Sequence, residues 1–147
     1  MPTNIECFDL LTGRIFADLY DQFPIPHLLT NDEFSFYLLG MDPEHPIEPM
    51  FEGRQEAVHF FFATTQWLIE AGYISSVNQF GEGSEVVLTA KGLEALKSVP
   101  SSLSRETLGS QLVEAAKTGT VDQLKALAGD AIGAGVRLGV NWVSSIT

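Results

Sequence analysis

Cysteine is nearly absent: Cys7 is the single thiol in 147 residues, which excludes a disulfide framework and leaves stability to burial and hydrogen bonding. Positive charge is scarce as well. The 8 Lys and Arg residues face 19 Asp and Glu, for a formal net charge of −11, and this argues against a broad nucleic-acid footprint, which draws on a Lys/Arg surface. Long apolar runs are missing. The longest nearly uncharged stretch, residues 131–146, is broken by Arg137 and Asn141 and is shorter than the ~20 residues of a membrane-spanning helix. No basic residue precedes Arg14 and no apolar core of a leader follows Met1, so a secretory signal is not expected and a cytoplasmic location is. What the sequence does hold is core material. With 45% hydrophobic residues, 10% aromatics and 18% charged residues, it is composed to fold around one core rather than to remain disordered.

The charge is lopsided: residues 1–60 hold 11 acids and 2 bases, whereas residues 101–147 hold 4 of each. Within the acidic half, Phe8, Leu11, Ile15, Phe16, Leu19 and Tyr20 recur at helical spacing and predict an amphipathic helix over 4–22. Pro24 and Pro26 end it, and a short extended piece over 27–29 follows. Thr30 and Glu33 have the spacing of a capping box, flanked by Leu29 and Phe34 as a hydrophobic staple. They open a helix over 31–39 that Gly40 can close in the left-handed conformation. A proline-rich acidic loop over 41–53 leads to a third helix over 53–71. That helix places Ala57, Val58, Phe61, Phe62, Leu68 and Ile69 on one side and Phe60, Ala63 and Trp67 on another, before Gly72 stops it. Two β-prone runs, 73–78 and 85–88, flank a glycine-bearing turn and predict a two-stranded hairpin. Thr89 caps a helix over 90–98. Beyond Pro100 the texture turns to Ser, Ala, Gly and Leu. Ser104 is a candidate cap for a helix reaching Gly119, and Thr120 with Gln123 forms a second capping box. The last helix carries Gly129, Gly133, Gly135 and Gly139. Each costs ~1 kcal/mol of helix stability relative to alanine, which predicts close packing against another backbone.

The order helix, strand, helix, helix, hairpin resembles the winged helix-turn-helix superfamily. The residues that carry the likeness are Trp67-Leu68-Ile69-Glu70-Ala71-Gly72-Tyr73-Ile74, the glycine-bearing wing, and Leu88-Thr89-Ala90-Lys91-Gly92-Leu93-Glu94-Ala95-Leu96. Residues 1–99 would then form a winged-helix domain of α+β class, mostly helical, with a two-stranded wing. Residues 100–147 would form a helical extension packed on it or on a second subunit. The chain is also similar to bacterial and phage winged-helix proteins in which a Gly/Ala-rich C-terminal helix follows. The resemblance implies a third helix that reads base edges and a wing that meets phosphates. Here the third helix offers Arg54, Gln55, His59 and Gln66 beside Glu52, Glu56 and Glu70, and the wing carries Glu82 and Glu85 without a base.

Three functional expectations follow. The first is a non-enzymatic module working through protein–protein association, with Phe60, Trp67, Gly135, Gly139 and Trp142 as interface residues and a homodimer as one form. The second is a dimeric DNA-binding regulator using Arg54, Gln55 and Lys91, with Arg14 as a further base. The third is an acidic, phage-type inhibitor of a nucleic-acid-binding protein. Chemistry finds little to work with. The loop cluster Asp42, Glu44, His45, Glu48 and Glu52 is interrupted by three prolines and reads as a solvated loop rather than a metal site. His27 reads as support for the first turn and His59 as a helix-interface residue. Cys7 reads as a buried structural thiol. No phosphate-cradling loop and no nucleophile elbow is present, so no cofactor and no catalytic residue is expected.

Overall fold

The structure, a computed structural model, describes residues 2–80, 83–99 and 106–146, without the side chains of Phe80 and of residues 140–146. It is mostly helical with a small three-stranded antiparallel sheet. The first helix, α1 (Asn4–Gln22), starts at a complete capping box: Thr3 Oγ1 accepts from the Glu6 amide at 3.1 Å and the Glu6 carboxylate accepts from the Thr3 amide at 2.8 Å. After the prolines, β1 (His27–Thr30) runs directly into α2 (Asn31–Leu38). Thr30 accepts the Glu33 amide as expected, but only half of that box forms, because the Glu33 carboxylate turns towards Arg14 at 3.8 Å. Leu29 and Phe34, the staple positions, are both fully buried. Gly40 closes α2 at φ +72° and Gly72 closes α3 (Arg54–Glu70) at φ +87°, both in the left-handed region that glycine enters without penalty.

The hairpin consists of β2 (Ile74–Phe80) and β3 (Gly83–Leu88), and the expected short strand, β1, joins it, so the sheet has three strands where the sequence predicts a two-stranded hairpin. The order is β1-β3-β2, with His27 opposite Val86 and Thr30 opposite Gly83. Four residues are too few to stand alone as a strand, and what holds β1 is the edge of β3. Gly83 permits the approach: a Cβ there would stand 1.9 Å from the Leu29 carbonyl oxygen.

Three further helices complete the chain: α4 (Ala90–Lys97), α5 (Leu108–Thr118) and α6 (Val121–Ile146). Thr89 and Thr120 cap α4 and α6 as their sequences indicate. The cap expected at Ser104 lies outside the described residues; the N-cap of α5 is Thr107, which accepts from the Ser110 amide at 3.1 Å. α5 and α6 pack on α1 and α4, and Leu108, Leu112, Leu124, Ala131 and Ala134 join Leu10, Leu11, Ile15 and Phe16 in one core. α1 and α6 approach closely at Gly13, where a Cβ would be 2.9 Å from the Leu124 carbonyl oxygen. The glycine that admits the close approach of α1 and α6 is therefore in the middle of α1, whereas Gly129 and Gly133 of α6, expected to pack on another backbone, meet no neighbouring backbone among the described residues.

Candidate functional site

The third helix decides what surface the chain offers. Its buried positions are Ala57, Phe61, Thr64, Thr65 and Leu68, a stripe in which two threonines replace expected hydrophobes. Thr65 satisfies its hydroxyl by donating to the Phe61 carbonyl at 2.9 Å, so the polar atom is buried at little cost. Phe62, expected on the core side, is displaced to the outer surface and is 43% exposed. His59, expected at a helix interface, is likewise exposed. One residue, about 100° of helix phase, separates Phe61, which packs, from Phe62, which does not.

Phe60 and Trp67 do form a second stripe. Trp67 meets Phe8 of α1 edge-on at 5.2 Å between ring centroids, and Phe60 lies against Phe51 at 5.1 Å. Between α1 and α3 runs a groove of about 360 Å³ lined by Asn4, Ile5, Phe8, Phe60, Ala63, Thr64 and Trp67. None of these side chains is charged. Ile5 is 62% exposed and Trp67 45%, so the groove is apolar and open. Trp67 also stacks on Tyr73, 6.3 Å away and 15° from parallel. Tyr73 in turn seats α6: its hydroxyl donates to the Ile132 carbonyl at 2.6 Å, and its ring fills the space beside Gly135.

The five proposed interface residues thus separate. Phe60 and Trp67 share one surface, and Gly135 is occupied within its own chain, by an aromatic side chain rather than by the backbone that its small size suggested. Among the described residues no atom lies within 4 Å of a notional Cβ at Gly139, so it packs on none of them. The side chain of Trp142 lies outside the described residues.

The candidate nucleic-acid contacts are also redistributed. Arg54, at the start of α3, pairs with the Asp32 carboxylate and lies over the Phe36 ring. Lys91 donates to the Ala71 carbonyl at 2.8 Å and stands 4.5 Å from the Tyr73 ring centroid, serving the C-terminal end of α3. Gln55 is exposed in the first turn of α3. Arg14, read from sequence as a surface base, is instead interior, at 8% exposure. Its spacing of four residues from Leu10 and three from Ala17 puts it on the buried stripe of α1, and that phase was the signal for its burial.

No spacing pattern announces the cluster that forms around Arg14. Its Nε is 3.8 Å from the Asp18 carboxylate, its Nη2 is 3.8 Å from Glu33, and its guanidinium carbon lies 4.8 Å from the Tyr37 ring centroid. His27 Nε2 is 4.0 Å from Asp18 on the other side. Burial raises the Asp18 carboxyl above its ordinary range despite the Arg14 guanidinium, and burial pushes the Tyr37 phenol up to about 12. In the 41–53 loop, Asp42 accepts from the Glu44 amide at 2.9 Å and meets His45 Nδ1 at 3.3 Å. Partial burial opposes ionisation of Asp42, but these two hydrogen bonds hold its carboxyl below the usual value. Among the described residues no three His, Cys, Asp or Glu side chains converge to hold a metal ion. Cys7 is buried, and burial raises its thiol pKa, which opposes a nucleophilic thiolate. No described helix is long and apolar enough to cross a membrane. No protein-family model matches the chain, and comparison with curated proteins and with solved structures returns no match.

Proposed function

We infer that the chain is a winged-helix module that works by protein–protein association, with a second copy as the occupant of the α1–α3 groove. Two features support the winged-helix reading: the order α1-β1-α2-α3-β2-β3, and a sheet in which β1 lies beside β3. The observation that carries the association reading is the state of α3. Its outer surface shows Phe62, Trp67 and Glu70, while Arg54 and Lys91, the cations nearest to it, are bound to groups of their own chain. Freeing them for phosphates would forfeit an ion pair and a helix-end contact, and few counterions would be released in return. A second copy fits the groove better than a basic or acidic partner, because its side chains are uncharged and a two-fold pairing brings no like charges together there despite the net charge of −11.

Light scattering at ~100 μM, well above the dissociation constant of a stable dimer, tests this directly. The expected mass is twice 16.0 kDa, and Trp67→Glu should return it to that of one chain while the circular dichroism stays helical, since it places a charge in the buried patch. A single-chain mass for the unsubstituted protein refutes self-association. Fluorescence anisotropy with duplex DNA at ~100 mM salt should show nothing tighter than ~10⁻⁴ M. A submicromolar, salt-sensitive constant would restore the regulator reading.

A further inference from the structure

A second apolar surface, sharing no residue with the α1–α3 groove, is built by the way α2 ends. The Met41 amide donates to the Phe36 carbonyl at 2.9 Å and the Gly40 amide to the Tyr37 carbonyl at 3.0 Å, the paired bonds of a Schellman motif, which brings the residue after the glycine back onto the last turn of the helix. Met41 and Phe36 thereby become neighbours. Together with Pro43, Glu33 and Asp42 they wall a notch of about 330 Å³. The capping motif accounts for their nearness but leaves them open, Phe36 at 41% and Met41 at 62% exposure. Apolar side chains grouped on a surface and rimmed by charge are the pattern of a protein contact.

The charge around the notch is of one sign. Asp32, Glu33, Asp42, Glu44, Glu48 and Glu52 all belong to α2 or to the loop that follows it, and both bases of residues 1–60 are held by acids of their own chain, Arg14 by Asp18 and Glu33 and Arg54 by Asp32. No described lysine or arginine lines the notch. Arg54 also shows what this surface accepts: its guanidinium pairs with the Asp32 carboxylate while standing 5.6 Å from the Phe36 ring centroid, a cation seated where an apolar ring adjoins an acid. On the Met41 side the same combination recurs without such a cation. There Glu33 is 43% exposed and Glu44 is exposed as well, so both carboxylates keep oxygens free to accept.

We propose that this notch docks a short basic segment of another protein, one aliphatic side chain of which rests on Phe36, Met41 and Pro43 while lysines or arginines on either side of it pair with Glu33 and Glu44. Charge complementarity selects the occupant. A second copy is opposed, because two such faces bring like charges together and the bases of this chain are dispersed, no two of them adjacent in sequence. The same acids repel a nucleic acid or an anionic membrane surface. The surface is independent of the pairing through α1 and α3, and its occupation leaves that groove free.

The test is an NMR titration of the full ¹⁵N-labelled chain, at ~50 mM salt, with two capped peptides, Lys-Arg-Leu-Lys-Arg and Lys-Arg-Gly-Lys-Arg. The leucine peptide should shift the amides of Glu33, Phe36, Met41 and Glu44 saturably, with a dissociation constant on the order of 100 μM. The glycine peptide, with the same charge and no apolar anchor, should bind at least about fivefold more weakly, and Met41→Ser should weaken the leucine peptide by a similar factor. Both Met41 and Glu44 are exposed, so their variants keep the fold. Glu44→Lys should weaken binding by about tenfold, whereas Asp130→Lys, the same change of charge at an exposed position on α6, should alter it less than about twofold. The proposal is overturned if no saturable shift appears at these residues, if the glycine peptide binds as well as the leucine peptide, if Met41→Ser binds unchanged, or if Asp130→Lys weakens binding as much as Glu44→Lys.

Discussion

Gly135 and Gly139 lie one turn apart in the same helix, and replacing each by alanine should move stability in opposite directions. At Gly139 no described residue stands within 4 Å of the new methyl, so Gly139→Ala collects the helix-propensity difference and should stabilise by about 0.5–1 kcal/mol. At Gly135 the methyl would stand 2.3 Å from Tyr73 Cε1 and 2.6 Å from its hydroxyl oxygen. The ring has nowhere to go. It is 1% exposed, tilted against Phe16 at 5.9 Å and stacked on Trp67, with its hydroxyl bonded to Ile132. Overpacking of that kind costs about 1–3 kcal/mol. Against a propensity gain of about 0.5–1 kcal/mol, the balance for Gly135→Ala is a net loss of up to about 2 kcal/mol. For a chain of this size each kcal/mol moves the melting temperature by about 2–4 °C, so the two variants should melt several degrees apart, one on each side of the unsubstituted protein. Urea unfolding followed by circular dichroism at 222 nm gives the same comparison in free energy. If Gly135→Ala proves as stable as Gly139→Ala, the seat of α6 on Tyr73 is wrong.

Two other consequences can be measured with the same apparatus. The Tyr37 phenol, raised by burial from 10.0 to about 12, keeps its proton in the folded chain when the unfolded chain has begun to lose it. The contribution is therefore complete below pH 10 and falls away between pH 10 and 12 at about 1.4 kcal/mol per pH unit, so urea midpoints at pH 8, 10 and 11 should drop only over the last interval, and Tyr37→Phe should flatten that drop. Thr89 accepts the Gly92 amide at 3.0 Å and donates to the Gly72 carbonyl; Thr89→Ala should cost about 1–2 kcal/mol in denaturant unfolding, and Thr89→Ser, which keeps the oxygen, should cost much less.

Elements announced by local chemistry could be read from sequence. Thr30, Thr89 and Thr120 cap helices, Gly40 and Gly72 end them, and the boundaries of α2, α3 and α4 fall within a residue of their expected places, because caps and left-handed glycines act over three or four residues. What escaped depends on partners distant in the chain. The pairing of β1 with β3 depends on a sheet edge formed far along the chain; Phe62 turns outward and Thr65 inward because the helix phase is set by what α3 packs on; and Gly13 acquires its purpose only when Leu124 arrives. The site divides along the same line. The Phe60 and Trp67 stripe was visible as helical spacing, whereas Arg14, Asp18, Glu33 and Tyr37 come from two helices and meet only in the fold. Lys91, which reads as a free cation, is spoken for by the Ala71 carbonyl.

The packing of α1 on α6 sets a timetable for synthesis. Chain leaves the ribosome at about 5–20 residues per second, and roughly a hundred residues separate Gly13 of α1 from Leu124 and the small residues of α6 that cover it. For on the order of 5–20 s, then, the nascent chain carries its first helix with Leu10, Leu11 and Ile15 lacking their final cover. That interval is when a chaperone has most to hold. The acidic residues that alternate along the same helix, Glu6, Asp9, Asp18 and Asp21, keep neighbouring nascent chains apart by like charge while α1 waits for the helix that completes its core.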